Sequence, residues 1–553
     1  MSRLRGAVLL IVLFGLIAPI AVGLAETTRA AFGVLPALGQ AEWSLAPWRM
    51  LLAQPGFASS VRLTLVTGLG ATVISLALAV GFCASVPGRM RWLAPFLAAP
   101  HAAMAAGLAF VLAPSGWIVR LLAPLAGWSQ PPQLGLLHDS WGLALTLGLV
   151  VKELPFLLLV MGSGLAQLPV ARQLAVGRAM GYGPGGVWIK VILPQLWPLI
   201  RLPVWVVLAY ALSVVDMALI LGPSNPPTLA VAVLRWFNAA DVEMILPASA
   251  GALLQAGLVV LAVAALWGGE LVLRRLGRWW LRRGGRGLSW APGLHVARLG
   301  VWALMALASV ALLSLLIWSL AWRWPYPLIW PAQWSAELWM AADWGSALIN
   351  TLVLASVTGA LALILAICWL EAEDGLARAP WAEALIYLPL LMPQIGFLYG
   401  LNVVFLRIGL SGGYLAVIWA QALFVFPYVM IALSEPWRAL DARLLRVAAA
   451  LGAGRWRRLM ALRLPMLLGP ILTAGAIGVA VSVAQYLPTL FLGAGRIATL
   501  TTEAVTLSSG ADRRVLAVYA SLQAALPCAT YALAALIPAL WHRNRRDLRG
   551  GGV

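Results

Sequence analysis

Four ionisable residues in the first half of this 553-residue chain stand inside long apolar stretches, where charged side chains are costly. They are His101, Lys152, Glu153 and Asp216. Imidazole, amine and carboxylate groups can perform general acid–base catalysis, and the same groups line solute pathways through membranes. Lys152 and Glu153 are adjacent and point in different directions on a helix, so they need separate partners.

Three interpretations of these residues stay open. They could line a solute pathway, they could form fixed structural pairs, or the span that holds Lys152 and Glu153 could be misplaced. A structural pair could join one of these two to Asp216 or to a backbone carbonyl freed by Pro155. His101 alone is more typical of a packed histidine than of a ligand. The second half carries neutral amides in the matching spans: Gln394, Gln421 and Gln485. A pathway built from both halves would therefore receive its charge from one side.

The elements that must position these residues are membrane helices. The chain is 62% hydrophobic and 10% charged with a mean hydropathy of +0.92, whereas soluble proteins are about half apolar and a quarter charged. Backbone groups in lipid must bond to each other, so we predict an all-α integral membrane protein with continuous helices and no β-barrel. The twelve predicted spans are 7–25, 63–86, 93–113, 141–162, 195–221, 246–269, 299–321, 346–370, 384–405, 414–434, 466–492 and 515–541.

The first span, Ala7–Ala25, follows two arginines and ends in small residues, as a cleaved signal peptide would. We interpret it as a retained helix, because the internal repeat requires a helix at this position. The three cysteines, Cys83, Cys368 and Cys528, are isolated, so we predict no disulfide framework and no metal site.

The basic residues predict the orientation of the chain. The net charge is +19, and a cytoplasmic N-terminus places about 26 positive residues inside and about 10 outside. The inside groups include Arg89, Arg91, the run 274–298 and the tail 543–549. Basic residues threaded between membrane helices do not form a nucleic-acid surface. We therefore predict that both termini are cytoplasmic and that no nucleic acid is bound.

The sequence contains an internal repeat of 452 − 181 = 271 residues. The stretch Gly181–Pro194, "GYGPGGVWIKVILP", is echoed by Gly452–Pro465, "GAGRWRRLMALRLP". The same offset joins "LGPSNPPTLAVAV" at Leu221 to "LGAGRIATLTTEAV" at Leu492. We predict two parallel six-helix halves, residues 1–271 and 299–553, joined by a basic cytoplasmic linker, 272–298.

A loop between the fourth and fifth spans of each half carries the repeated glycine and proline. We call these the coupling loops; the first covers about 164–194 and the second about 435–465. Glycine is suited to a left-handed helix cap, so each loop should be a short helix, a sharp turn and a second short helix. Pro194 and Pro465 should begin the next spans, where proline loses no hydrogen bond.

These loops resemble the EAA loop of ABC importer permeases, written E-A-A-x3-G-x9-I-x-L-P. The matching residues are Gly181, Leu193 and Pro194 in the first half and Gly452, Leu464 and Pro465 in the second. The acidic position of the motif holds Ala175 and Arg446 instead. The resemblance implies the type I importer fold, also called the MetI-like permease fold, in which this loop is a coupling helix that fits a cleft of the ATPase subunit.

A narrower resemblance covers nearly the whole chain. The stretches "SVVDMALILGPSNPPTLAV" and "QYLPTLFLGAGRIATLTTEAVTLSSG" resemble fused permeases of Ynj type, which are relatives of the fused thiamine and ferric-iron permeases. This implies a single chain that supplies both halves of an importer in the bacterial inner membrane. The implied partners are two copies of a cytoplasmic ABC ATPase and a periplasmic solute-binding protein. The resemblance implies no particular substrate.

The chain cannot supply the ATPase itself. A P-loop needs Gly-Lys-Ser/Thr, and the two lysines, Lys152 and Lys190, follow valine and isoleucine. We therefore predict a permease that is not an enzyme, with no catalytic residue and no bound cofactor, and with ATP and Mg²⁺ held by the partner.

Two rival classes remain. A secondary transporter of the major facilitator type would carry a Gly/Asp/Arg cluster between spans two and three, where this chain has "PGRMR". A membrane enzyme would need the four ionisable residues in one site, which the sequence does not establish.

Overall fold

The structure is a computed structural model that describes residues 2–36, 39–86, 93–284, 291–373, 380–510 and 512–541. Three basic groups of the predicted cytoplasmic face lie outside the described residues: Arg89, Arg91 and the tail 543–549. Residues 285–290 of the predicted linker also lie outside them.

The described part of the chain is almost entirely helical, as predicted. Ten single helices and two bent pairs are long and apolar enough to cross a membrane. We number them spans 1 to 12. In the first half they are Gly6–Ala31, Phe57–Ser85, His101–Ala126, Leu143–Ala166, Pro184–Ser213 and Val242–Arg282. In the second half they are Gly293–Leu320, Trp344–Glu373, Trp381–Leu391 with Ile395–Arg407, Tyr414–Ala439, Arg455–Met466 with Leu468–Ala484, and Arg513–Trp541. The predicted count and order of spans are confirmed.

Shorter elements connect the spans. The helices are Ala46–Leu52, Ala94–Ala98, Val170–Ala179, Asp216–Leu221, Leu229–Phe237, Glu337–Ala341, Ala442–Ala450, Leu487–Gly493 and Leu500–Leu507. Two short antiparallel strands, Ala321–Arg323 and Gln333–Trp334, follow span 7.

The prediction that every span is a continuous helix is wrong at four places. The predicted third span breaks before Pro100, and span 9 bends by 96° between Leu391 and Ile395, around Pro393. Proline lacks an N–H and disfavours a helical conformation in the preceding residue. The predicted fifth span stops at Ser213, and span 11 stops at Ala484, each before a separate short helix.

The sixth span is also longer than predicted. Its α-helix, Ile245–Arg282, has 38 residues and is therefore about 57 Å long at 1.5 Å per residue. It continues well past the predicted end at 269, so most of the described part of the linker is helical. Near its end the Arg283 guanidinium lies 3.7 Å from the Trp279 ring centroid. Arginine and tryptophan are both favoured at the headgroup level of a membrane.

The two halves exchange their first spans. Span 1 packs on span 9 of the second half, where a side chain on Gly400 would collide with the carbonyl oxygen of Gly23. Arg407 also donates to Glu26 at 2.8 Å across this contact. Span 7 packs in turn on spans 2 and 3, and Gly107 lies against the backbone of Ala311. Each half is therefore completed by a helix from the other.

One hydrogen bond recurs at equivalent positions in the two halves. The Leu229 N–H donates to Thr64 Oγ1 at 2.9 Å, and the Leu500 N–H donates to Thr351 Oγ1 at 2.9 Å. Leu229 and Leu500 begin short helices and are separated by the 271-residue offset. A buried threonine of spans 2 and 8 thus satisfies an otherwise free donor at a helix N-terminus.

A second kind of helix cap, formed by an aspartate side chain, also occurs once in each half. Asp241 Oδ1 accepts from the Glu243 N–H at 3.0 Å, and Asp512 Oδ1 accepts from the Arg514 N–H at 2.9 Å. The side-chain hydrogen bond from Arg514 also lowers the pKa of the Asp512 carboxyl. These caps begin the elements that lead into spans 6 and 12.

We predict that Thr64→Val and Thr351→Val each destabilise the protein by about 1–3 kcal/mol, because each leaves a buried N–H without an acceptor. The measurement is the thermal unfolding midpoint of the detergent-purified chain, followed by tryptophan fluorescence. Thr64→Ser and Thr351→Ser keep the hydroxyl and are the matched controls. Valine and serine variants that unfold at the same temperature would contradict this role.

Candidate functional site: the central cavity and the two coupling loops

A cavity of about 330 Å³ lies between the two halves and is lined by residues of both. Six of the seven predicted pathway residues line it: His101, Lys152, Glu153, Asp216, Gln394 and Gln485. The structure therefore brings together side chains that are up to 384 positions apart (485 − 101) in the sequence.

The broken helices put four of these residues on the cavity wall. His101 and Asp216 are the first residues of the helices that follow two breaks. Gln394 lies in the bend of span 9, and Gln485 has an extended backbone (ψ 112°) after span 11. Non-helical backbone at membrane depth is tolerated where it is enclosed by protein or lines a cavity. The backbone at these breaks lies between the two halves and lines the cavity.

Lys152 is bound to backbone carbonyls. Its Nζ donates to Phe96 O at 3.1 Å and to Leu97 O at 3.0 Å, in the last turn of Ala94–Ala98. Pro100 has no N–H to donate to Phe96, so the break leaves these carbonyls free. A cation at a helix C-terminus is also favoured by the helix dipole. The partner of Lys152 is therefore this helix end, and neither Asp216 nor a carbonyl freed by Pro155.

The other three ionisable residues form a loose chain along one wall. His101 Nε2 lies 3.4 Å from Glu153 Oε1, and its ring centroid is 4.5 Å from that of Tyr210. The Tyr210 hydroxyl lies 3.4 Å from Asp216 Oδ1. Both polar distances exceed those of a strong hydrogen bond. Glu153 and Asp216 are less than 10% exposed, so two buried carboxylates line the cavity with long side-chain contacts. The backbone N–H groups of Met217 and Asp216 also lie beside the Asp216 carboxylate.

The second half contributes amides to the opposite wall. Gln394 Nε2 lies 3.4 Å from Gln485 Oε1. Gln421, the seventh predicted residue, does not line this cavity. It is 1% exposed, donates to Thr489 Oγ1 at 3.0 Å and accepts from the Ser482 hydroxyl. Its partners are within its own half, and its contacts are those of a packing residue.

The cavity also contains tyrosines that were not predicted from the sequence. Four of the ten tyrosines in the chain line it: Tyr210, Tyr428, Tyr486 and Tyr531. A tyrosine hydroxyl inside an apolar span needs a polar partner. Tyrosines within the predicted spans could therefore have been chosen as candidate cavity residues from the sequence.

The coupling loops have the expected glycine caps. Gly181 has φ +82°, its N–H donates to Arg178 O at 3.0 Å, and the Tyr182 N–H donates to Gly177 O at 2.9 Å. Gly452 has φ +79° with the same two bonds, from its own N–H and from that of Ala453, each at 3.0 Å. This pair of bonds is the Schellman motif.

We expected the next spans to begin at Pro194 and Pro465, and the two halves differ in this respect. In the first half the helix is continuous from Pro184 to Ser213. In the second half the helix Arg455–Met466 is followed by a bend of 78° at Leu467, two residues after Pro465. A turn of π-helix ends just before each proline, with the Leu193 N–H bonded to Trp188 O and the Leu464 N–H bonded to Leu459 O. The wider turn accommodates residues that lack an N–H.

Each coupling loop presents the same pair of exposed apolar side chains. Val176 is 50% and Met180 is 53% exposed, and the residues 271 positions later, Val447 and Leu451, are 59% and 82% exposed. Residues four apart lie on one helix face. Ala175 and Arg446, which replace the acidic residue of the motif, are also exposed. The loops therefore carry matched apolar patches among basic residues.

The second coupling loop is tied to span 8 by buried charges. Glu371, 8% exposed, accepts from Arg455 Nε at 3.0 Å and from Arg463 Nη1 at 2.8 Å. The positions 271 residues earlier are Pro184 and Ile192, which cannot form such pairs. In the first loop Lys190 lies 4.4 Å from the Trp280 ring centroid instead. The two loops are thus held to the bundle by different interactions.

Twelve spans in two parallel repeats, a cavity between them and a capped loop on one face of each half define a membrane permease. Residues 377–541 match the family described as "Binding-protein-dependent transport system inner membrane component". The chain is 33% identical over 524 residues to the Escherichia coli (strain K12) protein named "Inner membrane ABC transporter permease protein YnjC", which covers 92% of this chain and 93% of that protein.

The chain therefore belongs to the family of inner-membrane ABC transporter permeases. It is a multi-pass permease subunit of an ABC importer, and neither comparison supports the major facilitator alternative.

We predict that Glu371→Ala loosens the second coupling loop, since breaking a buried ion pair costs about 3–5 kcal/mol. Limited trypsin digestion of the purified chain, read by mass spectrometry, should show cleavage within 442–463 accelerated by about tenfold or more, because 1.4 kcal/mol corresponds to tenfold. Glu337→Ala, at an exposed position, is the control. Equal cleavage of wild type and Glu371→Ala would contradict the anchoring role.

Proposed function

We propose that this single chain supplies both halves of the translocation pathway of an ABC importer and works by alternating access. A periplasmic solute-binding protein delivers the cargo, and two copies of a separate cytoplasmic ATPase drive the cycle. The observation that carries this proposal is the repeated coupling loop. Two glycine-capped loops lie at equivalent places in the two halves, and each exposes the same apolar pair.

The topology supports cytoplasmic coupling loops. If all twelve spans cross the membrane, the first loop follows four spans and the second follows ten, so both lie on the side from which span 1 starts. The loops and the end of span 6 carry many of the basic residues, which favour the cytoplasmic side. Both termini and both loops are then cytoplasmic, where an ATPase can bind them.

The ATPase activity belongs to the partner. No Gly-Lys-Ser/Thr sequence occurs in this chain, so ATP and Mg²⁺ are bound by the ATPase subunits. Closure of the two ATPase subunits on ATP draws the coupling loops together, and the halves then rock about the central cavity. A loop that is packed as a rigid helix–turn–helix transmits this movement to its bundle.

The exposed apolar pairs should be the contacts with the ATPase. We predict that Met180→Glu and Leu451→Glu together reduce co-purification of the ATPase by about tenfold or more, because a buried unpaired carboxylate is costly at an interface. Met340→Glu is the control, since Met340 is 88% exposed and lies between spans 7 and 8 on the opposite face. Undiminished co-purification of the double variant would contradict the proposal.

The glycine caps should be needed for coupling. We predict that Gly181→Val and Gly452→Val each lower cargo-dependent ATP hydrolysis by the assembled complex about tenfold or more, because a β-branched residue is disfavoured in the left-handed conformation. Gly454→Ala is the control, since Gly454 has φ −62° and a methyl group there meets no neighbour. If both valine variants couple as wild type does, the loops do not transmit the movement.

A further inference from the structure

The charged side chains on the wall of the central cavity differ in how well their hydrogen-bonding groups are satisfied. The Lys152 ammonium is occupied by the carbonyls of Phe96 and Leu97. The side-chain contacts of the two carboxylates are long: Glu153 lies 3.4 Å from His101, and Asp216 lies 3.4 Å from the Tyr210 hydroxyl. Asp216 also has the backbone N–H groups of Met217 and of its own residue beside its carboxylate. Counted as formal charges with His101 neutral, Lys152, Glu153 and Asp216 sum to −1, in a chain whose formal net charge is +19.

Glu153 has an unused acceptor. Its side chain is 9% exposed, and Oε1 faces His101, while Oε2 has no hydrogen-bond partner among the residues that the structure describes. A buried carboxylate without a good partner is strongly unfavourable. Because Glu153 lines the cavity, a cationic ligand there would provide the missing partner.

Aromatic rings line the same cavity as the two carboxylates. Six aromatic side chains line the same cavity: Phe156, Tyr210, Phe424, Tyr428, Tyr486 and Tyr531. Aromatic faces attract ammonium groups by cation–π interaction, and sites for quaternary ammonium ligands combine such rings. A wall of this kind suits a cation that is itself partly apolar.

The potential metal ligands of the cavity are not clustered into a metal site in the part of the chain that the structure describes. Among the described residues, no group of three or more His, Cys, Asp and Glu side chains is arranged to hold a metal ion. His101, Glu153 and Asp216 line one cavity without forming such a group. The chemistry therefore favours an organic cation over an inorganic one.

We propose that the central cavity binds an organic cation, a quaternary ammonium or protonated amine, between the carboxylates of Glu153 and Asp216 and the tyrosine rings. The cargo of the importer then belongs to this chemical class, an inference that rests on the proposed transport function. The first half supplies the charge, and Gln394 and Gln485 of the second half supply neutral hydrogen-bonding groups for the remainder of the cargo.

The test uses the full-length chain in lipid nanodiscs with two cations, choline and benzyltrimethylammonium. The uncharged analogue 3,3-dimethyl-1-butanol has the shape of choline without its charge. Saturable binding of the cations is measured by equilibrium dialysis, with competition by the neutral analogue. We expect Glu153→Gln and Asp216→Asn to weaken cation binding about tenfold or more, and the neutral analogue to compete poorly. Glu337→Gln, at an exposed position, should bind as wild type does.

A second pair of variants leaves both carboxylates unchanged, so the test does not depend on the folding of Glu153→Gln and Asp216→Asn. Tyr428→Phe retains the ring and should bind the cations, whereas Tyr428→Leu should bind them several-fold more weakly. The inference is overturned if wild type shows no saturable binding of either cation, if the neutral analogue competes equally, or if both carboxylate variants bind as wild type does.

The outcomes separate this inference from the transport proposal. If the cations do not bind while the glycine variants still lose coupling, only the organic-cation inference fails. If the cations bind but the glycine variants couple normally, the proposed coupling mechanism fails, and the cavity remains a cation site of unknown use.

Discussion

Every backbone N–H and C=O at membrane depth must find a partner inside the protein, and this constraint organises the whole structure. Continuous helices meet it along most of the twelve spans. Where a helix breaks or ends, side chains bond to the backbone groups that have no partner in the helix. Lys152 donates to the carbonyls left by the break before Pro100. Thr64 and Thr351 accept hydrogen bonds from backbone N–H groups at the starts of two helices. The breaks occur at the central cavity, so the exceptions to regular structure coincide with the proposed solute pathway.

The duplication is symmetric in its backbone and asymmetric in its chemistry. The threonine caps and the glycine caps recur at the same positions in both halves. The charged wall of the cavity comes from the first half, whereas the amides come from the second. The second coupling loop alone is held by the buried charges around Glu371. Once both halves lie in one chain, each can change separately, and a single asymmetric cargo can then be held by different groups on its two sides.

Much of the architecture was predictable because it follows from local rules. Hydrophobic length identified twelve spans, and Gly181 and Gly452 adopt the left-handed caps that their place at helix ends suggested. Six of seven polar residues chosen for their position in apolar stretches line one cavity. The exception is Gln421, whose spacing resembled that of the others but whose amide pairs with Thr489 and Ser482. A sequence does not show which face of a span a polar residue occupies, so burial against its own half could not be foreseen.

The sequence by itself determined the class of the protein, the number of spans, the duplication and the places of the two coupling loops. The span count follows from hydrophobic length, the loops from local glycine and proline chemistry, and the duplication from a fixed offset between matching stretches. The class followed from the resemblance of the two loops to the EAA loop of ABC importer permeases. Only the tertiary structure decided the exchange of the first spans, the four helix breaks, the partner of Lys152 and the tyrosines around the carboxylates. Each of these depends on contacts between residues far apart in the chain, where packing and the satisfaction of buried polar groups outweigh local preference.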